Sequence, residues 1–121
     1  MKKKILVLDD SPQVLEIIVA VLNDAGYEAT AALNFGEAIQ KAQAIRPDLV
    51  LTDVVMPDVS GFDVCSKIRE MFQPDPPKII VMTGKLDAID PVRARKAGAD
   101  DFVVKSTGMG ALLGSVKKLL R

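Results

Sequence analysis

Three aspartates, a threonine and a lysine stand where they can do chemistry together. Asp9 and Asp10 follow the apolar run Ile5-Leu6-Val7-Leu8, and Asp53 follows Leu49-Val50-Leu51-Thr52. Thr83 and Gly84 follow Ile79-Ile80-Val81-Met82, and Lys105 follows Phe102-Val103-Val104. If these runs are parallel strands, their carboxyl ends form one rim, where open α/β sheets bind ligands. Three carboxylates against one ammonium leave that rim net negative. Two carboxylates ~5 Å apart repel by roughly 3 kcal/mol at an effective dielectric of 20, so the cluster wants a cation. Oxygen donors without His or Cys favour a hard ion, Mg²⁺ or Mn²⁺. A carboxylate beside such an ion, with an ammonium and a hydroxyl opposite, is a place to accept a phosphoryl group. The cations neutralise charge developing on its oxygens, and an Asp carboxylate is a nucleophile able to form aspartyl-phosphate.

Taken singly, each residue has a plainer reading. Aspartates favour loops and caps, a lone lysine is commonly a solvated one, and Thr83 is an ordinary strand end. Asp10 is not needed as a cap, because Ser11 already occupies that place before Pro12. Asp53 is followed by Val54-Val55-Met56-Pro57, which is no helix start, and Ser60 is better placed. The weight lies in the convergence at the ends of four different strands.

The elements that must position them alternate. The four runs, with a weaker one over 27–33, are apolar throughout, as strands buried on both faces are. Between them Val14, Leu15, Ile18, Val21 and Leu22 keep helical spacing, as do Ala38, Ile39, Ala42 and Ile45, and Met109, Leu112, Leu113, Val116 and Leu120. Five strand-then-helix units predict a parallel α/β sheet covered on both faces. Ser11-Pro12 reads as cap and first helical residue. Asn34 can cap the second helix, which Pro47 follows. Gly26 and Gly98 fit helix C-caps. Ser60 with Asp63 has capping-box spacing for the third helix. Asp90-Pro91 starts a fourth helix of barely two turns, leaving 84–90 as a long mobile loop. Gly108, Gly110 and Gly114 predict a soft last helix, with faster hydrogen exchange than in the first, since each glycine costs about 1 kcal/mol against Ala in a helix interior.

Composition narrows the classes. The 121 residues are 49% hydrophobic and 26% charged, with sixteen basic and sixteen acidic side chains, one Cys and no His or Trp. One domain spanning 1–121 is expected at this length. Lone Cys65 excludes an internal disulfide and fits a reducing compartment. Zero net charge argues against charge-driven binding to nucleic acid or anionic lipid. Without His there is no usual zinc site, Ser-His triad or self-phosphorylation on histidine. No apolar stretch approaches the ~18 residues that span a membrane, and the run after Lys2-Lys3-Lys4 stops too early for a signal peptide. A cytoplasmic protein is expected. Twelve Asp against four Glu is the unusual count.

The chain resembles the receiver domain of two-component response regulators, chemotaxis-regulator-like, over its whole length. The matching segments are Ile5-Leu-Val-Leu-Asp-Asp10, Asp48-Leu-Val-Leu-Thr-Asp53, Met56-Pro57 with Gly61 following, Val81-Met-Thr-Gly84, and Lys96-Ala-Gly-Ala-Asp-Asp-Phe-Val-Val-Lys105. The resemblance implies a flavodoxin-like (βα)5 sandwich of strand order 2-1-3-4-5. It implies Asp53 as phosphoacceptor, and Mg²⁺ held by Asp10, Asp53 and the main-chain carbonyl of Val55, with Asp9 in support. It gives Lys105 to a phosphoryl oxygen, makes Thr83 the switch hydroxyl aided by the Gly84 amide, and makes Phe102 the switch aromatic. A histidine kinase or histidine phosphotransfer protein would donate, and an output domain or protein would respond. The domain itself would touch neither nucleic acid nor membrane. A homodimer face through the fourth helix, fifth strand and fifth helix is also implied. Ser106 departs from the family's usual proline after the lysine. A cis non-proline bond costs roughly 3 kcal/mol, so a trans bond is expected there.

Other readings compete. A phosphatase working through aspartyl-phosphate commonly has a second Asp two residues after the nucleophile; here that residue is Val55. A flavin module would need a phosphate cradle after the first strand, where Asp9-Asp10-Ser11-Pro12 repels phosphate without a metal. A receiver-like module that only binds partners would not need Asp53, Asp10, Thr83 and Lys105 intact.

Overall fold

The computed structural model describes residues 2–57, 59–84, 91–105 and 108–120. Strands β1 (Lys4–Leu8), β2 (Glu28–Ala32), β3 (Leu49–Asp53), β4 (Lys78–Thr83) and β5 (Asp101–Val104) alternate with helices α1 (Pro12–Asp24), α2 (Phe35–Ile45), α3 (Gly61–Met71), α4 (Pro91–Ala97) and α5 (Met109–Leu119). All four strand pairings are parallel, and the order is β2-β1-β3-β4-β5. This is the flavodoxin-like order expected. Residues 85–90, which include the proposed Asp90 cap and most of the 84–90 loop, lie outside the described residues, as does Ser106 with its expected trans bond.

Period-two alternation sorts the central strands onto two cores. Leu6, Leu8, Val50, Ile79 and Val81 face one side, against Ala38 and Ala42 of α2 and Phe62, Cys65 and Ile68 of α3. Ile5, Val7, Leu49, Leu51, Ile80 and Met82 face the other, against Leu15, Ile18 and Leu22 of α1 and Leu112 and Val116 of α5. Burial on both faces is why β1, β3 and β4 carry no polar alternation. Edge strands β2 and β5 are only half-buried, which explains the weaker apolar signal over 27–33.

The helix ends follow their local chemistry with two differences. The Ser11 hydroxyl accepts from the Val14 amide at 3.3 Å, and the Asn34 side chain from the Glu37 amide at 2.9 Å. Gly26 and Gly98 take the left-handed conformation that ends α1 and α4. In α3, however, Ser60 caps the Phe62 amide at 3.1 Å rather than that of Asp63, whose N–H goes to the Ser60 carbonyl. Helix α2 ends on Arg46 at φ 50°, a left-handed residue without a glycine to announce it. The helix starting at Pro91 has seven residues, as short as expected. Among the described residues, no helix is long and apolar enough to cross a membrane.

Candidate functional site

Because all the strands run parallel, every strand's carboxyl end lies on the same edge of the sheet. Asp9 and Asp10 directly follow β1, Asp53 and Thr83 end β3 and β4, and Lys105 directly follows β5. Neighbouring strands hold them in register, with Asp53 opposite Met82 and Thr83 opposite Val104. One carboxylate oxygen from each of Asp9, Asp10 and Asp53 lies within 4.8 Å of the others. Asp9 and Asp53 are buried, as is Thr83, whereas Asp10 is exposed.

Lys105 spans two of the three carboxylates. Its Nζ lies 2.5 Å from Asp9 Oδ2 and 3.4 Å from Asp53 Oδ2. The tighter pairing is with Asp9. Asp9 also accepts from the Ser11 amide at 3.0 Å, so its two oxygens are both engaged. Asp53 has the poorer partners: the Val55 amide at 3.4 Å and a distant share of Lys105. Burial therefore lifts its carboxyl above the usual range; Lys105 pulls it down, and the Asp9 charge pushes it further up. Burial pulls the Lys105 ammonium down, but its hydrogen bond to Asp9 and the two carboxylate charges outweigh this and hold it above its ordinary value.

The donor set fits a hard divalent cation. Among the described residues it offers three carboxylate oxygens within reach of one ion and one ammonium, that of Lys105, beside them. Thr83, Gly84 and Phe102 fall where the sequence placed them. Thr83 ends β4, Gly84 is exposed just beyond it, and Phe102 of β5 packs partly buried against the α2–α3 core. Val55 projects at the rim, 65% exposed. Cys65 takes no part: it is fully buried on α3, and burial with the Asp100 charge pushes its thiol up to about 12.

The model of the response regulator receiver domain matches residues 5–117. The chain belongs to that family. Receiver domains serve two-component signalling and are not classical turnover enzymes. The DNA-binding response regulator MtrA of Mycolicibacterium smegmatis is 34% identical over 121 residues, covering 100% of this chain and 52% of that protein. The alkaline phosphatase synthesis transcriptional regulatory protein PhoP of Bacillus subtilis is also 34% identical, over 100% of this chain and 50% of its own. The chain thus spans about half the length of the curated relatives it matches. Among solved structures, chemotaxis protein CheY4 of Vibrio cholerae superposes with a TM-score of 0.89 at 30% identity, covering 98% of this chain and 99% of that one. Response regulator TrrA of Thermotoga maritima, solved in complex with Mg²⁺-BeF, gives 0.85 at 38% identity, over 97% and 98%. The same regulator has been solved in complex with histidine kinase ThkA.

Within this receiver domain, sequence reasoning missed contacts made through the main chain. The Ser11 amide on Asp9 and the hydroxyl of buried Thr52, which donates to the Asp53 carbonyl at 3.1 Å, carry no residue signature.

Proposed function

We propose that Asp53 accepts a phosphoryl group from a phosphohistidine on a histidine kinase or histidine phosphotransfer protein, and that the modified receiver domain controls an output domain or protein. Residues 1–121 act as one module in this reading, in the cytoplasm, without contacting nucleic acid or membrane itself. A second copy docks through the face of α4, β5 and α5. The observation that carries the proposal is Asp53 itself: a buried carboxylate, poorly paired, beside two further carboxylates and one shared ammonium.

In the transfer, one Asp53 oxygen attacks phosphorus, the O–P bond forms as the P–N bond breaks, and the electron pair leaves on the imidazole. Lys105 lies close enough to Asp53 to turn toward the incoming phosphoryl oxygens. Thr83 supplies a hydroxyl from the adjacent strand end, with the Gly84 amide beside it. A Mg²⁺ or Mn²⁺ ion, held by Asp10, Asp53 and the Val55 carbonyl with Asp9 in support, would supply neutralisation of charge on the phosphoryl oxygens. Movement of Thr83 and Phe102 then shifts the domain between two states, because only one of them makes the new contacts. Slow hydrolysis of the aspartyl-phosphate in the same site resets it.

Three of the exposed large apolar side chains support docking of a partner at this rim. Val55 follows β3, Leu33 follows β2 and Ile17 lies in the second turn of α1. A small phosphodonor such as acetyl phosphate, given with Mg²⁺, should add one base-labile phosphate to the chain and none to Asp53→Ala. Persistent labelling of that variant would remove Asp53 as acceptor.

A further inference from the structure

Helix α3 begins against the peptide of the proposed acceptor, and it can do so only because its first residue lacks a side chain. A methyl group at Gly61 would stand 2.2 Å from the Asp53 carbonyl oxygen, 2.8 Å from Val54 Cα and 2.9 Å from the Asp53 carbonyl carbon. All three are backbone atoms of a buried strand end, so none can swing aside as a side chain tip would. Gly61 is not among the glycines of positive φ, so space rather than backbone freedom demands it. The contrast with α2 is direct. Gly36, also in the first turn of its helix, would place a methyl no nearer than 3.6 Å from the Asn34 side chain, an ordinary contact.

The segment that Gly61 touches is held from two sides. The Gly61 amide donates to the Val54 carbonyl at 2.9 Å, and the Val54 amide donates to the Met82 carbonyl of β4 at 2.8 Å. The Thr52 hydroxyl donates to the same Asp53 carbonyl that Gly61 abuts. Residues 53–55 are therefore clamped between β4 and the start of α3. That short segment carries both the Asp53 carboxylate and the Val55 carbonyl.

We infer that Gly61 is a positioning residue of the acceptor site: its missing side chain seats α3 on the Asp53–Val54 peptide, with Thr52 securing the same carbonyl, so that Asp53 and the Val55 carbonyl converge on one cation. This rests on the proposed role of Asp53 and Val55. A side chain at Gly61 displaces the clamp, and displacement of supporting groups around a metal site typically costs 10–100-fold in affinity.

The test is Mg²⁺ binding by calorimetry, without phosphodonor, on the wild-type chain, Gly61→Ala, Gly36→Ala and Ile68→Val. The last trims a buried residue of α3 itself and lowers stability without touching the clamp. Gly61→Ala should bind Mg²⁺ at least about tenfold more weakly, and its half-maximal Mg²⁺ for acetyl phosphate labelling should rise by the same factor. Gly36→Ala and Ile68→Val should stay near wild type. A folded Gly61→Ala with wild-type affinity, or an equal loss in Ile68→Val, overturns the inference. If Gly61→Ala does not fold, Thr52→Val decides: weaker Mg²⁺ binding at preserved fold supports the clamp, and unchanged binding refutes it. Labelling of wild type but not Asp53→Ala is the separate control. Its failure would strike the acceptor reading while leaving the Mg²⁺ comparison interpretable.

Discussion

The two edges of the sheet use the same residue type to opposite ends. At the carboxyl edge, Asp9, Asp10 and Asp53 face one another across less than 5 Å, with one lysine between them. At the amino edge, Asp48, Asp100 and Asp101 face donors. Asp48, just before β3, accepts from the Lys4 amide of β1 at 2.8 Å while its own amide returns a bond to the Lys4 carbonyl. Asp100, just before β5, does the same with Ile79 of β4. Asp101 gathers the Phe102 amide, the Ser115 hydroxyl and the Lys118 ammonium. Burial raises its carboxyl, but these three donors outweigh that and hold it below the usual range, whereas Asp53 is held above it. An aspartate surrounded by donors ties elements together; Asp53, beside two other carboxylates and with only long contacts to donors, suits a cation.

The amino edge should break first when mutated. Asp100→Ala leaves the amide of fully buried Ile79 without its side-chain partner, at a cost of about 1–3 kcal/mol. Asp48→Ala strands the half-buried Lys4 amide and should cost less. Chemical denaturation measures both, and both variants should still accept phosphate from acetyl phosphate. If either loses labelling while folded, the division between the edges is wrong.

Cation binding probes the opposite edge. A ligand at ten times its dissociation constant stabilises the folded state by about 1.4 kcal/mol. Mg²⁺ should raise the melting temperature of the wild-type chain and of both amino-edge variants equally, and of Asp10→Ala much less. Equal increments in Asp10→Ala would place the ion elsewhere.

Titration separates the edges by sign. A carboxyl raised on folding favours the folded state least when ionised, so Asp53 withdraws stability as pH rises from its unfolded value through its folded one. Asp101 is lowered, so its contribution is present above its unfolded value and lost as pH falls through its folded one. In the absence of Mg²⁺, Asp53→Asn should therefore match wild type in acid and exceed it at pH 7. Asp101→Asn should fall short at pH 7 and converge on wild type in acid. Thermal melts across pH 2–8 read both, and curves of the same sign would contradict the contrast.

The carboxyl edge was legible in the sequence because polar residues stop uninterrupted apolar runs there, and parallel topology then brings the stops together. Asp9, Asp10, Asp53, Thr83 and Lys105 needed only that logic. Their pairing did not follow from it, since whether Lys105 leans toward Asp9 or Asp53 depends on where a four-carbon chain comes to rest among packed neighbours. Gly61 was visible as part of a motif, but the backbone that its missing methyl would strike belongs to another element. Asp48 and Asp100 of the amino edge were visible only as members of the matching segments. Their partners lie 44 and 21 residues away, and only strand register discloses them.

Arg46 offers the finest probe of the amino edge. It ends α2 at φ 50°, a conformation that costs most L-residues about 1–2 kcal/mol. Its guanidinium lies 5.9 Å from the centre of the Phe72 ring, a contact worth about 0.5–1 kcal/mol where exposed. Arg46→Gly relieves the first and forfeits the second, and the added freedom of glycine in the unfolded chain costs a further 0.5–1 kcal/mol or so. These terms nearly cancel, so stability should change by less than about 0.5 kcal/mol. Arg46→Ala keeps the backbone cost and loses the ring contact, so it should be the less stable of the two. Neither should alter Mg²⁺ affinity, because among the described residues the carboxylate cluster lies at the opposite edge. A change in Mg²⁺ binding from Arg46→Gly would show that the two edges are coupled through β3, the strand with Asp48 before its start and Asp53 at its end.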